Sequence, residues 1–127
     1  MSSNRKNYPT ESELEILQIL WQNGASSVRV VNDALNQKRD VGYTTTLKIM
    51  QIMTEKGLVT RDTNSRTHIY TAAVEEKHTQ KSLLENFIEK TYRGSAMRMV
   101  MQALGNQHAS PDELESLKKI INDLENK

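Results

Sequence analysis

The sequence predicts a mainly α fold of the α+β class: a winged helix-turn-helix domain followed by a C-terminal helical region. Two observations predict it. Residues 10–56 carry three amphipathic helical patterns, and two short β-prone runs follow them with a polar turn between. Beyond residue 75, three further helical patterns each repeat apolar side chains along one stripe. We therefore expect a winged-helix domain over residues 1–73 and a helical region over residues 74–127.

Length and composition limit the class of protein. The 127 residues, 36% of them hydrophobic, suffice for one compact domain or one domain with a small appendage. The chain has no cysteine, which excludes disulfides, thiolate metal sites and cysteine nucleophiles. No apolar stretch approaches the roughly 20 residues of a membrane span, and the polar residues 1–7 do not resemble a signal peptide. We expect a cytoplasmic protein with no membrane partner.

Charge is distributed unevenly along the chain, although the net charge is only +1. Residues 26–70 hold seven basic and four acidic side chains, a balance of +3. The residues from 83 onward hold six basic and seven acidic side chains, a balance of −1. The basic excess favours a nucleic-acid partner for residues 26–70, although solvated surface charge also produces so modest an asymmetry.

Two helices are predicted before residue 38. Thr10 and Glu13 form a capping-box pattern, which starts a helix that runs to about Gln22. Ser26 or Ser27 caps a second helix that runs to about Gln37, and residues 25–27 could add a small third strand. The side chains expected to be buried are Leu14, Leu17, Leu20 and Trp21 in the first helix, and Val28, Val31, Ala34 and Leu35 in the second.

The third helix begins near Gly42, ends at Lys56-Gly57 and has two distinct faces. The spacing places a polar face on one side and a face expected to be buried on the other. The polar face holds Thr44, Lys48, Gln51 and Glu55, and the buried face holds Thr46, Ile49, Met50 and Met53. Strands are predicted over residues 58–61 and 67–71, joined by a turn at residues 62–65.

A short helix with small hydrogen-bonding side chains, followed by a hairpin that carries arginines, suits insertion into a DNA major groove. The helix would contact base edges and the hairpin would contact the backbone. The residues expected to bind DNA are Thr44, Thr45, Lys48 and Gln51 on the helix, and Arg61, Asn64, Ser65 and Arg66 on the hairpin. The same pattern also fits an ordinary helix and hairpin in a small α+β domain, or a protein-contact module.

Three C-terminal helices are predicted, over residues 75–92, over residues 96–104 and from Ser110 onward. The last one repeats apolar residues in steps of three and four, which is a two-heptad seam. Residues 10–72 already form a self-sufficient unit, so these apolar faces favour a second copy of the chain over packing on their own domain. The residues expected between subunits are Leu83, Phe87, Met97, Val100, Met101, Leu117, Ile121 and Leu124.

Residues for catalysis or metal binding form no recognisable set. His68, His78 and His108 lack metal-ligand spacing, and neither a nucleophile elbow nor a glycine-rich phosphate loop is present. His68 is expected on the hairpin surface, within reach of a phosphate. We expect no enzyme activity, no cofactor and no metal site.

In this order and spacing the segments resemble the penicillinase repressor family, the BlaI/MecI type of bacterial transcriptional repressor. The resemblance covers nearly the whole chain. Its main carriers are residues 9–21, Gly42-Tyr-Thr-Thr-Thr-Leu-Lys48, Glu55-Lys-Gly-Leu-Val59, Tyr70, residues 86–94 and the acidic start of the last helix. The resemblance implies a homodimer that binds double-stranded, pseudo-palindromic operator DNA and blocks transcription. Family members often repress genes for β-lactam resistance.

Two departures from the family concern the inducing signal. Family repressors of antibiotic resistance are inactivated by cleavage at an Asn-Phe bond, which implies a regulatory protease as a further partner. Gln102 and Ala103 occupy that position here, and Asn86-Phe87 lies in an earlier helix. Copper-responsive relatives carry a cysteine cluster that this chain lacks. Release by cleavage is expected within residues 97–104, and persistence of the full-length protein during induction would contradict it.

Overall fold

The computed structural model describes residues 8–64, 66–106 and 109–126, and it confirms the predicted fold class. Predictions for residues 1–7, Ser65 and His108 lie outside the described residues. The elements are α1 (Glu11–Asn23), β1 (Ser26–Ser27), α2 (Val28–Asn36), α3 (Tyr43–Lys56), β2 (Val59–Asp62), β3 (Ile69–Ala72), α4 (Glu76–Tyr92), α5 (Ala96–Gly105) and α6 (Pro111–Glu125).

The predicted helix caps are confirmed. Thr10 and Glu13 form a capping box at the start of α1, and Ser110 and Glu113 form another at the start of α6. The side chain of Ser27 accepts a hydrogen bond from the Val30 N–H and so caps α2. These short-range bonds fix where the helices begin.

The end of α3 also agrees with the prediction. Gly57 adopts a left-handed conformation with φ of 81°, which favours glycine. The Leu58 N–H donates to the Met53 carbonyl at 2.9 Å, and the Gly57 N–H donates to the Thr54 carbonyl at 3.1 Å. This Schellman pattern stops the helix and directs the chain into the sheet.

The three strands form an antiparallel sheet in the order β1-β3-β2. The small third strand is confirmed, with Ser26 opposite Tyr70. The predicted bounds of the other two strands were wrong by one or two residues. Leu58 still belongs to the helix-ending pattern, so β2 begins at Val59 and extends to Asp62. The Asn64 N–H donates to Asp62 Oδ1 in the turn, and β3 begins at Ile69, the residue that pairs with Asp62.

The first of two compact units, Met1–Leu83, contains a hydrophobic core between α1, α2, α3 and the sheet. Leu14, Trp21, Ala34 and Ile49 were predicted to be buried but are only partly so. The buried stripe of α1 runs through Glu13, Ile16, Leu17 and Leu20, at helical spacing, and Leu14 and Trp21 lie beside it. The core residues are Ile16, Leu17, Leu20, Val28, Val31, Leu35, Met50, Met53, Leu58, Val59 and Tyr70.

An ion pair joins the start of α1 to the end of α3. Oε1 of Glu13, a side chain only 5% exposed, lies 2.6 Å from Nζ of Lys56. The same oxygen accepts the Thr10 N–H at 2.8 Å. A single carboxylate therefore caps α1 and contacts a cation that neutralises the negative end of α3.

The second unit, Leu84–Lys127, comprises the C-terminal part of α4 with α5 and α6. The rings of Phe87 and Tyr92 pack edge to face, with centroids 5.8 Å apart. No residue of α5 or α6 is buried. The Trp21 Nε1–H donates to the Val74 carbonyl at 3.0 Å and ties the start of the predicted helical region to the first unit. The functional division at residue 73 stays a prediction.

Within residues 8–64, 66–106 and 109–126, no helix combines the length and apolar character needed to cross a membrane.

Glu13→Ala should lower the free energy of unfolding by about 1–3 kcal/mol, because it removes both a helix cap and the carboxylate that contacts Lys56. Urea unfolding followed by the fluorescence of Trp21, the only tryptophan, measures the loss. Glu11→Ala is the matched control, since Glu11 is an exposed acid in the same helical turn. Equal losses from the two variants would contradict a role for the ion pair.

Candidate nucleic-acid interface

The predicted division of α3 into two faces is confirmed. Thr46, Met50 and Met53 are buried against the rest of the first unit. With about 100° between successive helical residues, Lys48 lies near the centre of the opposite, exposed arc. Thr44 and Gln51 are exposed on the same arc. The packing of the helix therefore turns these three polar side chains to the surface.

Thr45 occupies one edge of this exposed arc. It lines a shallow depression together with Ser12, Arg39 and Val41, on the side of α1 and the α2–α3 turn. Arg39 forms an ion pair there with Glu15. Thr45 is exposed, but it lies away from the hairpin residues that were also expected to bind DNA.

The wing, which is the β2–β3 hairpin, places its arginines beside α3. Arg61 pairs with Tyr70 across the sheet, and directly paired residues of an antiparallel sheet project from the same face. Tyr70 is fully buried in the core. Arg61 therefore projects from the face of the sheet that packs on the helices, and it lines a groove instead of the far side of the wing.

This wing groove lies between the start of α2, α3 and the wing. It brings together Gln51, Arg61 and Arg66 among the predicted residues. Thr44, Lys48 and Asn64 do not line it; Asn64 lies at the exposed hairpin turn. Its other polar lining residues include Arg29, Tyr43 and His68.

Sequence reasoning did not select Arg29 and Tyr43 as site residues. Arg29 lies in the first turn of α2, next to the Ser27 cap, and Tyr43 is the first residue of α3. A basic side chain directly after a helix cap was a usable signal, because anions are stabilised at helix N-termini. No pattern in the sequence indicated that this helix start faces the wing.

Among the described residues, the cations at this surface have no acidic partner. In the part of the chain that the structure describes, Arg29, Lys48, Arg61 and Arg66 take part in no ion pair. By contrast, two cations on the side of the unit that faces α1 are paired. Lys56 contacts Glu13, and Arg39 contacts Glu15. Unpaired cations around an exposed helix form a surface suited to an anionic partner.

The residues expected between subunits are mostly exposed in this single chain. Phe87, Met97, Met101, Ile121 and Leu124 are each about half exposed or more, whereas Leu117 is partly buried. Leu83 is also partly buried and lies at the end of the first unit. Val100 is exposed to 37%. Their contact with a second copy stays a prediction.

Gln102 and Ala103 lie in α5, and both side chains are exposed. Cleavage in this helix stays a prediction. No group of three or more acidic or histidine side chains suited to a metal ion occurs among the described residues.

A helix-turn-helix formed by α2 and α3, with a basic wing beside the exposed face of α3, defines a winged-helix DNA-binding protein. The model of the penicillinase repressor family matches residues 9–123, and the chain belongs to that family. It is 27% identical over 120 residues to the methicillin resistance regulatory protein MecI of Mammaliicoccus sciuri, covering 94% of this chain and 98% of that protein.

The chain is also similar to a second repressor and to one solved structure. The penicillinase repressor of Bacillus licheniformis is 21% identical over 118 residues, covering 93% of this chain and 92% of that protein. The solution structure of the DNA-binding domain of the repressor BlaI aligns with a TM-score of 0.50 and 20% identity, covering 56% of this chain and 89% of that domain. The latter similarity supports the winged-helix fold.

Proposed function

We propose that this chain is a cytoplasmic, sequence-specific DNA-binding transcriptional repressor that acts as a homodimer on a pseudo-palindromic operator. The observation that carries the proposal is the set of cations around the exposed face of α3, which form no ion pair with any residue that the structure describes: Arg29, Lys48, Arg61 and Arg66. Membership of the penicillinase repressor family supports the same function.

Base recognition is assigned to the exposed face of α3, centred on its N-terminal half. The Lys48 ammonium can donate to guanine O6 and N7, and the Thr44 methyl group can contact a thymine methyl. Gln51 can pair with adenine through N6 and N7. Thr45, at the far edge of the exposed arc, would contact a base or a phosphate on the side away from the wing.

Backbone contact is assigned to the wing groove and the hairpin turn. Arg29 of α2 and the wing residues Arg61 and Arg66 line one groove. The N-terminus of α2 adds a partial positive charge beside Arg29. A phosphate in this groove would fix the position of the duplex relative to α3, and Asn64 at the hairpin turn could add a neutral hydrogen bond.

Dimerisation is assigned to the second unit. The α6 seam of Leu114, Leu117, Ile121 and Leu124 matches the spacing of helices that pair along one stripe. Two DNA-binding units joined in one dimer hold two half-sites with a high effective concentration, so the dimer binds an operator far more tightly than a monomer.

A winged-helix module that binds another protein is the second candidate. The exposed Met97 and Met101 favour it, since methionine side chains adapt to varied partners. The two functions differ in salt dependence. Affinity for DNA should fall by about 10³–10⁵ between 50 and 200 mM salt if roughly 6–10 phosphates are contacted, whereas an apolar protein contact would change little.

Selection of duplexes by the full-length chain from a random-sequence library, followed by anisotropy titration of the enriched duplex, tests the proposal. We expect one enriched, pseudo-palindromic sequence that is bound more tightly than a scrambled duplex of equal composition. Enrichment of no sequence would favour the protein-contact module.

Lys48→Ala should weaken binding to the enriched duplex by about 1–3 kcal/mol and relax preference at one base position. Its affinity for the scrambled duplex should fall much less. Lys77→Ala is the matched control, because Lys77 is an exposed lysine of α4 outside the α3 face and the wing groove. Equal weakening on both duplexes would make Lys48 a phosphate contact.

Arg66→Ala should weaken binding to both duplexes alike and reduce the slope of log affinity against log salt by about one unit. Arg29→Ala should behave in the same way, because both residues line the wing groove. Arg98→Ala, an exposed arginine of α5, serves as the control. An unchanged slope would mean that Arg66 is an ordinary solvated charge.

Ile121→Asp should raise the dissociation constant of the dimer at least about tenfold, because a carboxylate placed in an apolar seam would lose its hydration. Sedimentation velocity of the full-length chain measures this constant. Ser116→Asp adds the same charge to α6 away from the seam and should leave the dimer intact. A dimer unaffected by Ile121→Asp would move the interface away from α6.

A further inference from the structure

We infer that Asn32, acting with Asn36 and Thr46, is a positioning residue that orients α3 and thereby sets the discrimination between DNA sequences. This inference rests on the proposed function. Its basis is a hydrogen-bonded group that we term the amide cluster: Asn32, Asn36, Val41 and Thr46. The cluster joins α2, the α2–α3 turn and α3, which are the parts that orient a recognition helix.

Asn36 holds the turn through both backbone polar groups of one residue, Val41. Its Oδ1 accepts the Val41 N–H at 3.1 Å, and its Nδ2 donates to the Val41 carbonyl at 2.8 Å. Nδ2 also lies 2.8 Å from the Asn32 carbonyl, one helical turn earlier in α2. The side chain of Asn36 therefore fixes Val41, which lies two residues before α3, relative to the axis of α2.

Asn32 extends this connection into α3 itself. Its Nδ2 donates to Thr46 Oγ1 at 2.8 Å and to the Val41 carbonyl at 3.0 Å. Asn32 is 9% exposed and Thr46 is fully buried. Oδ1 of Asn32 accepts a longer bond, of 3.3 Å, from Asn36 Nδ2. Because the site excludes most water, loss of one partner would leave a buried polar group without its hydrogen bond.

Apart from Thr46, the fully buried side chains of α3 are both methionines, Met50 and Met53. Leu47 and Ile49 are partly buried and pack against the same core. Methionine is unbranched and fills irregular spaces in several rotamers, so packing against it tolerates small shifts of a helix. A hydrogen bond is directional, so the Asn32–Thr46 bond restrains rotation and sliding of the N-terminal half of α3 more tightly than this packing does.

Such a restraint affects base contacts more than phosphate contacts. Thr44 and Lys48 flank Thr46 in α3, so a rotation of the helix about its axis moves both. A bidentate contact to a base edge requires alignment of two hydrogen bonds, whereas charge attraction to phosphates depends weakly on angle. Release of the restraint is therefore expected to lower specific affinity selectively.

Thr46→Val tests the inference in the full-length chain, because it replaces the hydroxyl that Asn32 contacts with a methyl group of similar size. We expect the dissociation constant for the enriched duplex to rise about tenfold, the loss of roughly one good base contact. The constant for the scrambled duplex should stay within about twofold, because the backbone contacts remain. Thr46→Ser keeps the hydroxyl and should restore the wild-type ratio of the two constants.

Thr54→Val is the matched control for this substitution. Thr54 also lies in α3, but its hydroxyl donates to the Met50 carbonyl of the same helix at 2.9 Å and joins no second element. Thr54→Val should therefore leave the dissociation constants for both duplexes unchanged. Asn36→Ala is the second variant should Thr46→Val not fold, because Asn36 is exposed and alanine favours the helix. Asn36→Ala should likewise raise the dissociation constant for the enriched duplex relative to that for the scrambled duplex.

The outcomes separate this inference from the proposed function. Circular dichroism at the temperature of the titrations shows whether a variant is folded. A partly unfolded variant would lose affinity for both duplexes equally and is recognised in this way. Suppose that the wild-type chain discriminates between the duplexes. If the folded Thr46→Val or Asn36→Ala variant has the same ratio of the two dissociation constants as the wild-type chain, the positioning role is wrong. If the wild-type chain does not discriminate, the proposed function fails first.

Discussion

The burial of one face of α3 is the constraint on which the rest of the first unit depends. Thr46, Met50 and Met53 recur at helical spacing and must leave water together, so the face that holds Thr44, Lys48 and Gln51 is turned outward. The strands and the first two helices supply the surface on which that burial occurs. The exposed polar face is thus a consequence of core packing.

The two ends of α3 are held by different kinds of interaction. At its C-terminal end, the left-handed Gly57 and the Glu13–Lys56 ion pair fix where the helix stops and what it contacts. Its N-terminal end has no side-chain cap, since Gly42 precedes it, but the Asn32 Nδ2–H donates to Thr46 Oγ1 and ties this end to α2. The end proposed to contact bases is therefore held mainly by directional polar bonds, and the far end by charge and apolar packing.

Local signals in the sequence predicted the fold because they act within one helical turn. Thr10 and Glu13, Ser27, Gly57 and Ser110 each mark a helix end through bonds to residues at most a few positions away. Contacts between distant residues left no such trace. Glu13 meets Lys56 across 43 residues, and Arg29 reaches the wing groove only because β1 pairs with β3 beside the start of α2. Arg29 and Tyr43 of the wing groove were therefore missed, whereas the exposed face of α3 was predicted.

The contrast between the two units bears on how affinity and specificity are divided. The first unit buries a core of its own, but α5 and α6 bury no residue although their apolar stripes are regular. Isolated helices of ten to fifteen residues are marginal in water, so such stripes require a partner surface to be stable. If that partner is a second copy, its association supplies the affinity gained by joining two half-sites. Base discrimination would still arise within the first unit, where α3 is oriented. Substitutions in the α6 seam and in the amide cluster would then change different quantities, the strength of operator binding in one case and its selectivity in the other.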